Sequence, residues 1–194
     1  MGRTREFDVD LAVDSALHLF WRKGYEGTSL TDLTNALGIN RPSLYAAFGS
    51  KEDLFLRAVE RYTSHYGGEL VAAFEGPTAL DVVTRIIRFY ADATGREDRE
   101  PGCLIVQGAI VGSDDGARVR AVLADRRRLL EDMLAKRLER AKREGDLPKD
   151  ARPADLARFV WTVCFGIAIQ GADGATRDQL RRVGTLALEA WPTN

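Results

Sequence analysis

The stretch RPSLYAAF, residues 41–48, places a guanidinium, a hydroxyl and a phenol within five positions. On a helix, we expect Arg41, Ser43 and Tyr45 to face outward between apolar anchors. Groups of these types hydrogen-bond to the phosphate oxygens and base edges of a DNA duplex. The two alanines that follow keep the helix narrow enough to enter a major groove about 12 Å wide.

Two short predicted helices position this stretch. Ser29 and Asp32 have the spacing of a capping box, in which the carboxylate accepts from exposed backbone N–H groups. Gly38 ends the first helix, because glycine adopts a left-handed turn without penalty. Asn40 begins the second helix, with Pro42 in its first turn. Since such short helices are marginal alone, they must pack on the preceding helix. This arrangement predicts a helix-turn-helix DNA reader; the alternative is a structural helical hairpin.

The overall charge of the chain does not favour binding to nucleic acid. The 194 residues have a net charge of −1, and 45% are hydrophobic, as expected of a folded globular protein. Residues 1–65 contain eight basic and nine acidic side chains. Any DNA contact must therefore come from a local patch, and affinity must depend on two DNA-binding modules acting as a pair. Arg3 and Arg5 precede the first helix and are predicted to reach DNA as an arm. The most basic segment, residues 118–143, is predicted to be a solvated helix face.

Residues 28–55, TSLTDLTNALGINRPSLYAAFGSKEDLF, resemble the DNA-binding segment of the tetracycline-repressor (TetR) family of bacterial regulators. The preceding ALHLFWRKGYEGTS also matches, so the resemblance covers about residues 9–62. Its most specific part is the spacing L-Y-x-x-F followed by S-K-E-D-L. The rest of the chain is similar only as the variable all-helical regulatory domain, which in this family binds an effector and forms the dimer.

The resemblance implies a set of DNA contacts. Tyr45 looks like the family's phosphate-contacting tyrosine, and Lys51 like the lysine that meets the flanking backbone. Arg41 and Ser43 would contact base edges and phosphate, although Ser43 has the alternative role of starting the helix. The full predicted set is Thr28, Ser29, Arg41, Pro42, Ser43, Tyr45 and Lys51.

Helical periodicity along the chain predicts an all-α fold of about nine helices. The predicted helix-turn-helix domain is 1–50, and a helix over 51–74, weakened at Gly67 and Gly68, connects it to the rest. Residues 51–194 are predicted to bind an effector and to dimerise. A short helix is expected from Cys103 to Val111.

The predicted helix over 154–171 is apolar almost all round, and its small residues allow close approach of another helix. Together with residues 176–191 it predicts a four-helix bundle across a two-fold axis; the alternative is burial within one subunit. The predicted interface residues are Phe159, Val163, Gly166, Ile167, Leu180, Val183, Ala187 and Trp191.

An effector pocket is expected in the second domain, apolar with a few polar groups. The candidates are Tyr62, Tyr66, Phe89, Tyr90, Cys103, Gln107, Met133, Trp161 and Phe165, each of which has the alternative of a plain core position. An unknown small molecule bound there would favour a spacing of the two DNA-reading helices that misfits a palindromic operator. The connecting helix would transmit the movement.

Cys103 and Cys164 are the two cysteines and form no CxxC, which fits a reducing cytoplasm and argues against zinc. Cys103 opens a predicted helix, where a thiol can have a lowered pKa. A thiol-based redox or electrophile-sensing regulator is therefore an alternative function, against an inert packing cysteine.

Other function classes find little support in the sequence. The longest nearly apolar stretch, residues 159–169, is shorter than the ~20 residues that span a bilayer. We find no nucleophile elbow, phosphate-binding loop or metal-ligand cluster, so neither an enzyme nor a cofactor is expected. The expected function is a ligand-released transcriptional repressor that binds DNA as a homodimer. A dimeric helical adaptor without DNA binding is the remaining rival.

Overall fold

The computed structural model describes residues 8–192, in which ten α-helices and no β-strand occur. The helices are α1 (Val9–Lys23), α2 (Leu30–Leu37), α3 (Arg41–Phe48), α4 (Lys51–Tyr66), α5 (Gly68–Ala73), α6 (Ala79–Ala93), α7 (Leu104–Gln107), α8 (Ala117–Arg143), α9 (Pro153–Ala172) and α10 (Arg177–Glu189). The predicted all-α fold is confirmed. The predicted arm residues Arg3 and Arg5 lie outside the described residues.

The predicted helix over 51–74 is in fact two helices, which explains ten helices instead of about nine. α4 ends at Tyr66, and the backbone N–H of Gly67 still donates to the Thr63 carbonyl at 2.9 Å. A Cβ on Gly67 would lie 2.4 Å from that carbonyl oxygen, so a glycine allows the close approach. The chain then restarts as α5, which packs on α6.

The short helix predicted from Cys103 to Val111 is limited to the four residues of α7. Cys103 is its N-cap, and the chain becomes irregular after Gly108. The Gly108 carbonyl accepts a hydrogen bond from the Tyr25 backbone N–H at 2.8 Å. This bond ties the segment after α7 to the turn between α1 and α2.

One continuous apolar core joins the N-terminal helices to the remainder. Phe20 of α1 packs edge-on against Phe55 of α4, with ring centroids 4.9 Å apart. Trp21, one residue further on, packs edge-on against Tyr62 at 4.7 Å. α4 therefore runs from the short helices α2 and α3 into the larger bundle formed by α6, α8, α9 and α10.

Over residues 8–192, none of the helices combines the length and the apolar content that crossing a bilayer requires.

Candidate nucleic-acid interface and ligand pocket

The turn between α2 and α3 is fixed by three capping interactions. Ser29 and Asp32 form the predicted capping box, with the Ser29 Oγ accepting from the Asp32 N–H at 3.0 Å. Gly38 adopts the left-handed conformation at φ 65°, which a side chain would strain. The Asn40 side chain accepts from the Ser43 N–H at 2.9 Å and starts α3. These caps and the backbone of the turn thus set the orientation of α3 relative to α2, whatever side chains α3 exposes.

The inner face of α3 is anchored by Leu44 and Phe48, which are buried against the N-terminal core. On the outer face, Arg41 and Pro42 are exposed and Tyr45 keeps 46% of its surface accessible. Ser43 is only half-buried. The side chains predicted to read DNA therefore point away from the core, as a groove-binding helix requires.

Arg41 is held at the junction of the two short helices. One guanidinium nitrogen, Nη2, donates to the Thr31 Oγ1 at 3.2 Å. The contact is exposed and adds little to stability. The contact does hold the guanidinium next to the first turn of α2, where Thr31 lies.

The prediction for the start of α2 needs correction at Thr28. Its side chain is fully buried, and its hydroxyl donates to the Gly24 carbonyl at 2.7 Å, so this hydroxyl stabilises the α1–α2 turn and does not face solvent. Ser29 is exposed, but its hydroxyl and its N–H both bond to Asp32. Lys23 also donates to that carboxylate, at 2.8 Å, and together these bonds hold the pKa of Asp32 well below its usual range.

Lys51 begins α4 beside the α1–α2 turn. Its Nζ lies 4.3 Å from the centre of the Tyr25 ring, a cation–π contact. Partial burial lowers the pKa of the Lys51 ammonium, while the nearby Glu26 and Asp32 raise it. The amine is half-buried next to α3 and close to the edge of the predicted DNA surface.

A second set of polar contacts joins this region to α8. Arg118 Nη1 donates to Glu52 at 2.7 Å and to Asp53 at 3.2 Å, both in the first turn of α4. Glu26 accepts from the Ser113 N–H at 3.0 Å. The α1–α2 turn and the start of α4 are therefore tied to α8 and to the segment that precedes it.

A cavity of about 200 Å³ lies between α4, α5, α6 and α8, with a mainly apolar lining. Arg126 of α8 adds a cationic side chain to this lining. Six of the nine predicted pocket residues line the cavity: Tyr62, Tyr66, Phe89, Tyr90, Cys103 and Met133. The two tyrosines of α4 make this wall part of the helix that starts at Lys51.

The other three predicted pocket residues lie outside this cavity. Gln107 faces α1, where its Nε2 donates to the Trp21 carbonyl at 3.3 Å. Trp161 is buried between helices, and its Nε1 donates to the Leu130 carbonyl at 3.0 Å. Phe165 packs beside Trp161, with ring centroids 5.6 Å apart. Trp161 and Phe165 therefore pack behind the wall residue Tyr90 instead of lining the cavity.

Cys103 is buried, and its Sγ accepts from the Tyr62 hydroxyl at 3.3 Å. Burial raises the pKa of the Cys103 thiol, although hydrogen bonds from Tyr62 and from backbone N–H groups oppose the rise. The lowered pKa suggested by the sequence is therefore wrong for this geometry. Burial also raises the pKa of Cys164. Both thiols are therefore buried and have raised pKa values, although Cys103 also lines the cavity.

We expect the two thiols of the native protein to react with a disulfide reagent at neutral pH at least roughly tenfold more slowly than in denaturant. The physical reason is that a buried thiol with a raised pKa holds less thiolate and is shielded from the reagent. Absorbance of the released thiol measures the rate, and Cys103→Ser assigns the remaining signal to Cys164. Native labelling as fast as in the unfolded chain would restore the thiol-sensing alternative.

The predicted dimer residues divide into two groups. Phe159 and Val183 are exposed at 38% and 46%, Gly166 is exposed, and Val163 is half-buried. They lie on the exposed sides of α9 and α10, together termed the outward face, to which Ile169 and Leu186 also belong. The prediction is wrong for four residues that are buried inside the subunit instead: Ile167, Leu180, Ala187 and Trp191. Helical periodicity separates the two groups, because core and outer positions alternate every three or four residues.

The sequence itself matches known families over most of its length. Residues 12–58 match the family described as bacterial regulatory proteins, tetR family, and residues 79–184 match the tetracyclin repressor-like C-terminal domain. The HTH-type transcriptional repressor ComR of Escherichia coli (strain K12) is 30% identical over 193 residues, covering 98% of this chain and 92% of ComR. The chain belongs to the TetR family.

Two further similarities refine this placement. The HTH-type transcriptional repressor BdcR of Escherichia coli (strain K12) is 30% identical over 199 residues, covering 99% of this TetR family chain and 93% of BdcR. The TetR family regulator CifR, solved as a cysteine mutant with 26-bp double-strand operator DNA, superposes with a TM-score of 0.91. CifR is 38% identical, and the match covers 98% of this chain and 100% of that one.

Sequence reasoning about this TetR family chain missed several residues. Thr31 contacts Arg41, and its exposed position in the first turn of α2 is a signal that could have found it. Arg118 lies in a segment predicted to be a solvated face, although it binds the start of α4. Arg99 carried no signal, because its loop between α6 and α7 has no periodicity, yet it lies beneath the aromatic cavity.

Proposed function

We propose that this TetR family protein represses transcription by binding a palindromic operator as a homodimer, and that a small molecule releases it. The observation that carries the proposal is the outward face of α3, where Arg41 and Tyr45 are exposed while Leu44 and Phe48 anchor the helix. CifR, whose fold is similar throughout, was solved on a double-strand operator, which supports the same role for this surface.

Within this proposal, residues 1–50 form the DNA-binding domain, α4 and α5 connect, and residues 51–194 bind the effector and dimerise. Arg41, Pro42, Ser43 and Tyr45 enter the major groove. Ser29 and Lys51 lie at its edges, where phosphates pass. Thr28 contributes only through the position of the turn, since its hydroxyl is bonded to the Gly24 carbonyl.

Dimerisation uses the outward face of α9 and α10, which contains Phe159, Gly166 and Val183. A Cβ added to Gly166 would meet no neighbouring side chain within 4 Å inside the subunit, so a second helix has room to approach it. Pairing places two α3 helices on one side of the duplex, about one helical turn apart. The site of action is the cytoplasm, where operator DNA is found.

Release depends on the different fit of the ligand to two conformations. Tyr62 and Tyr66 bring α4 to the cavity wall, and Lys51 at its other end lies beside the DNA surface. Arg118 offers a second route, because it holds the first turn of α4 to α8. A ligand that displaces the cavity wall therefore changes the orientation of α3 relative to its partner.

An electrophoretic shift with DNA from beside the protein's own gene tests the DNA-binding function. We expect Tyr45→Ala to weaken the complex roughly tenfold or more, because a phosphate hydrogen bond and its packing are lost in each subunit. Lys51→Ala should weaken binding and reduce the slope of log affinity against log salt by about one unit per half-site.

Lys136→Ala is the matched control, since Lys136 is exposed on α8 about 27 Å along the helix from Arg118, which contacts the start of α4. It should leave both the affinity and the salt slope unchanged. If Lys136 carries the salt dependence while Tyr45→Ala binds normally, nucleic acid binds α8 and the proposed surface is wrong. Absence of any shift with the wild type would favour the helical adaptor instead.

A further inference from the structure

Arg99, in the loop between α6 and α7, is a charged side chain in an unusual place. Its side chain is only 4% exposed. The guanidinium carbon lies 4.9 Å from the Tyr66 ring centre and 5.9 Å from that of Phe89, so two aromatic faces surround it. Cation–π contacts of this kind offset part of the desolvation cost of a buried charge.

The charge of Arg99 is poorly matched by nearby carboxylates. Asp98 is 3.8 Å away, half-exposed, and already bound at 2.9 Å by Arg96 through both of its oxygens. Glu100 is bound at 2.8 Å by Arg22. In the part of the chain that the structure describes, the buried Arg99 Nε has no hydrogen-bond acceptor. A buried cation normally has a close hydrogen-bonded counter-charge, and the Arg99 guanidinium lacks one.

A second buried donor belongs to another residue that lines the same small cavity. The indole Nε1–H of Trp21, on α1, likewise lacks an acceptor among residues 8–192. Trp21 and Arg99 both line a small cavity of about 10 Å³, enough for a single polar atom. This small cavity shares Tyr62, Tyr90 and Cys103 with the wall of the larger aromatic cavity.

We propose that the effector of this protein is a small apolar carboxylate, with its carboxylate bound by Arg99 and Trp21 and its apolar body in the aromatic cavity. The inference rests on the proposed function, because it takes that cavity as the effector site. A carboxylate would supply both missing acceptors and a counter-charge in one group.

Size restricts the ligand further. The main cavity measures about 200 Å³, whereas an engineered apolar cavity of about 150 Å³ holds one benzene molecule. One aromatic ring or a short branched chain therefore fits. The carboxylate reaches its donors when the shared wall residues Tyr62 and Tyr90 shift. Since Tyr62 belongs to α4 and Trp21 to α1, binding acts directly on the helices that support α2 and α3.

Arg126 is the competing cation, since it lines the larger cavity from α8. The assignment to Arg99 follows from the two buried donors without acceptors, which lie at its end of the pocket and not at that of Arg126. A single trapped water is the other occupant of the small cavity, and it would give no preference for negative charge. The two alternatives are therefore separable by experiment.

Calorimetric titration of the full-length protein at neutral pH uses benzoate, phenylacetate and 3-phenylpropionate, each beside its neutral primary amide. We expect at least one acid to bind roughly tenfold or more tightly than its amide, because a charge-assisted hydrogen bond is replaced by a neutral one. This comparison needs no variant. If every acid binds no better than its amide, or none of the acids binds, the inference is overturned.

Single substitutions test which cationic side chain binds the carboxylate of the ligand. Arg99→Gln should reduce the acid-to-amide preference roughly tenfold, and Trp21→Phe should reduce it by a smaller factor. Arg85→Gln is the matched control, because Arg85 is exposed on α6, lines neither cavity and should not affect the preference. Circular dichroism verifies that each variant is folded. Loss of the preference in Arg126→Gln, with Arg99→Gln unaffected, overturns the assignment.

The operator shift is measured separately, so that the two proposals fail in different ways. If the protein binds the acids selectively but forms no complex with the operator, the carboxylate inference stands and the proposed repressor function is refuted. If the neutral amides release the operator complex and the acids do not, the proposed repressor function stands and the carboxylate class of effector is refuted.

Discussion

Replacing Leu186 with aspartate is expected to dissociate the proposed dimer and to abolish detectable operator binding. Leu186 is 65% exposed in the subunit and lies with Val183 on the outward face of α10. In a two-fold interface the change occurs twice, and each carboxylate would be buried without a partner, which costs several kcal/mol. We expect the dissociation constant of the dimer to rise at least about a hundredfold.

Operator binding should fall with dimerisation, because each subunit brings only one reading helix. The N-terminal segment has no excess of positive charge, so a single module gains little from non-specific attraction. Analytical ultracentrifugation and an electrophoretic shift at the same protein concentration measure the two effects together.

Leu80→Asp is the matched control for this experiment. Leu80 is 43% exposed but lies in the first turn of α6, where a carboxylate is favourable. It should leave both the dimer and the operator complex intact. A Leu186→Asp protein that stays dimeric and binds DNA would show that this face of α9 and α10 is not the interface.

Trp161→Ala is expected to lower the free energy of unfolding by about 3–5 kcal/mol, the usual cost of emptying a large aromatic site. Trp161 is almost fully buried on α9, packs edge-on against Tyr90 at 5.9 Å, and donates to the Leu130 carbonyl of α8. The substitution removes the packing of α9 against two neighbouring helices and also the side-chain hydrogen bond from the indole to α8.

Urea unfolding followed by circular dichroism measures this loss, at one fixed protein concentration because dimerisation contributes to stability. Leu80→Ala, at an exposed position, should cost less than about 1 kcal/mol. A loss for Trp161→Ala as small as that of the control would mean that Trp161 is not a core residue. It would then again be a candidate effector contact.

The helix-turn-helix could be predicted almost residue by residue because its determinants are local. The Ser29–Asp32 capping box, the left-handed Gly38 and the Asn40 cap are short-range hydrogen bonds and backbone preferences, and all three are present in the structure. Leu44 and Phe48 were recognisable as anchors from periodicity alone. The prediction for Thr28 was wrong because burial of a hydroxyl depends on the neighbouring turn, which spacing does not describe.

The dimer face and the pocket were only partly predictable. α9 is apolar all round, so its sequence could not separate Phe159, which points outward, from Ile167, which is core. Trp161 and Tyr90 are equally aromatic, yet only Tyr90 lines the cavity. Which side of an apolar helix meets a neighbour depends on packing with segments far away in the chain.

Local sequence was enough to predict a DNA-reading helix with Arg41 and Tyr45 on its outer face, since caps, a glycine turn and apolar spacing act within a few residues. The folded chain was needed to show that Arg99 and Trp21, 78 positions apart, lie together beneath an aromatic cavity. Their environment arises from long-range packing, which removes water from both side chains at once and leaves no trace in local sequence.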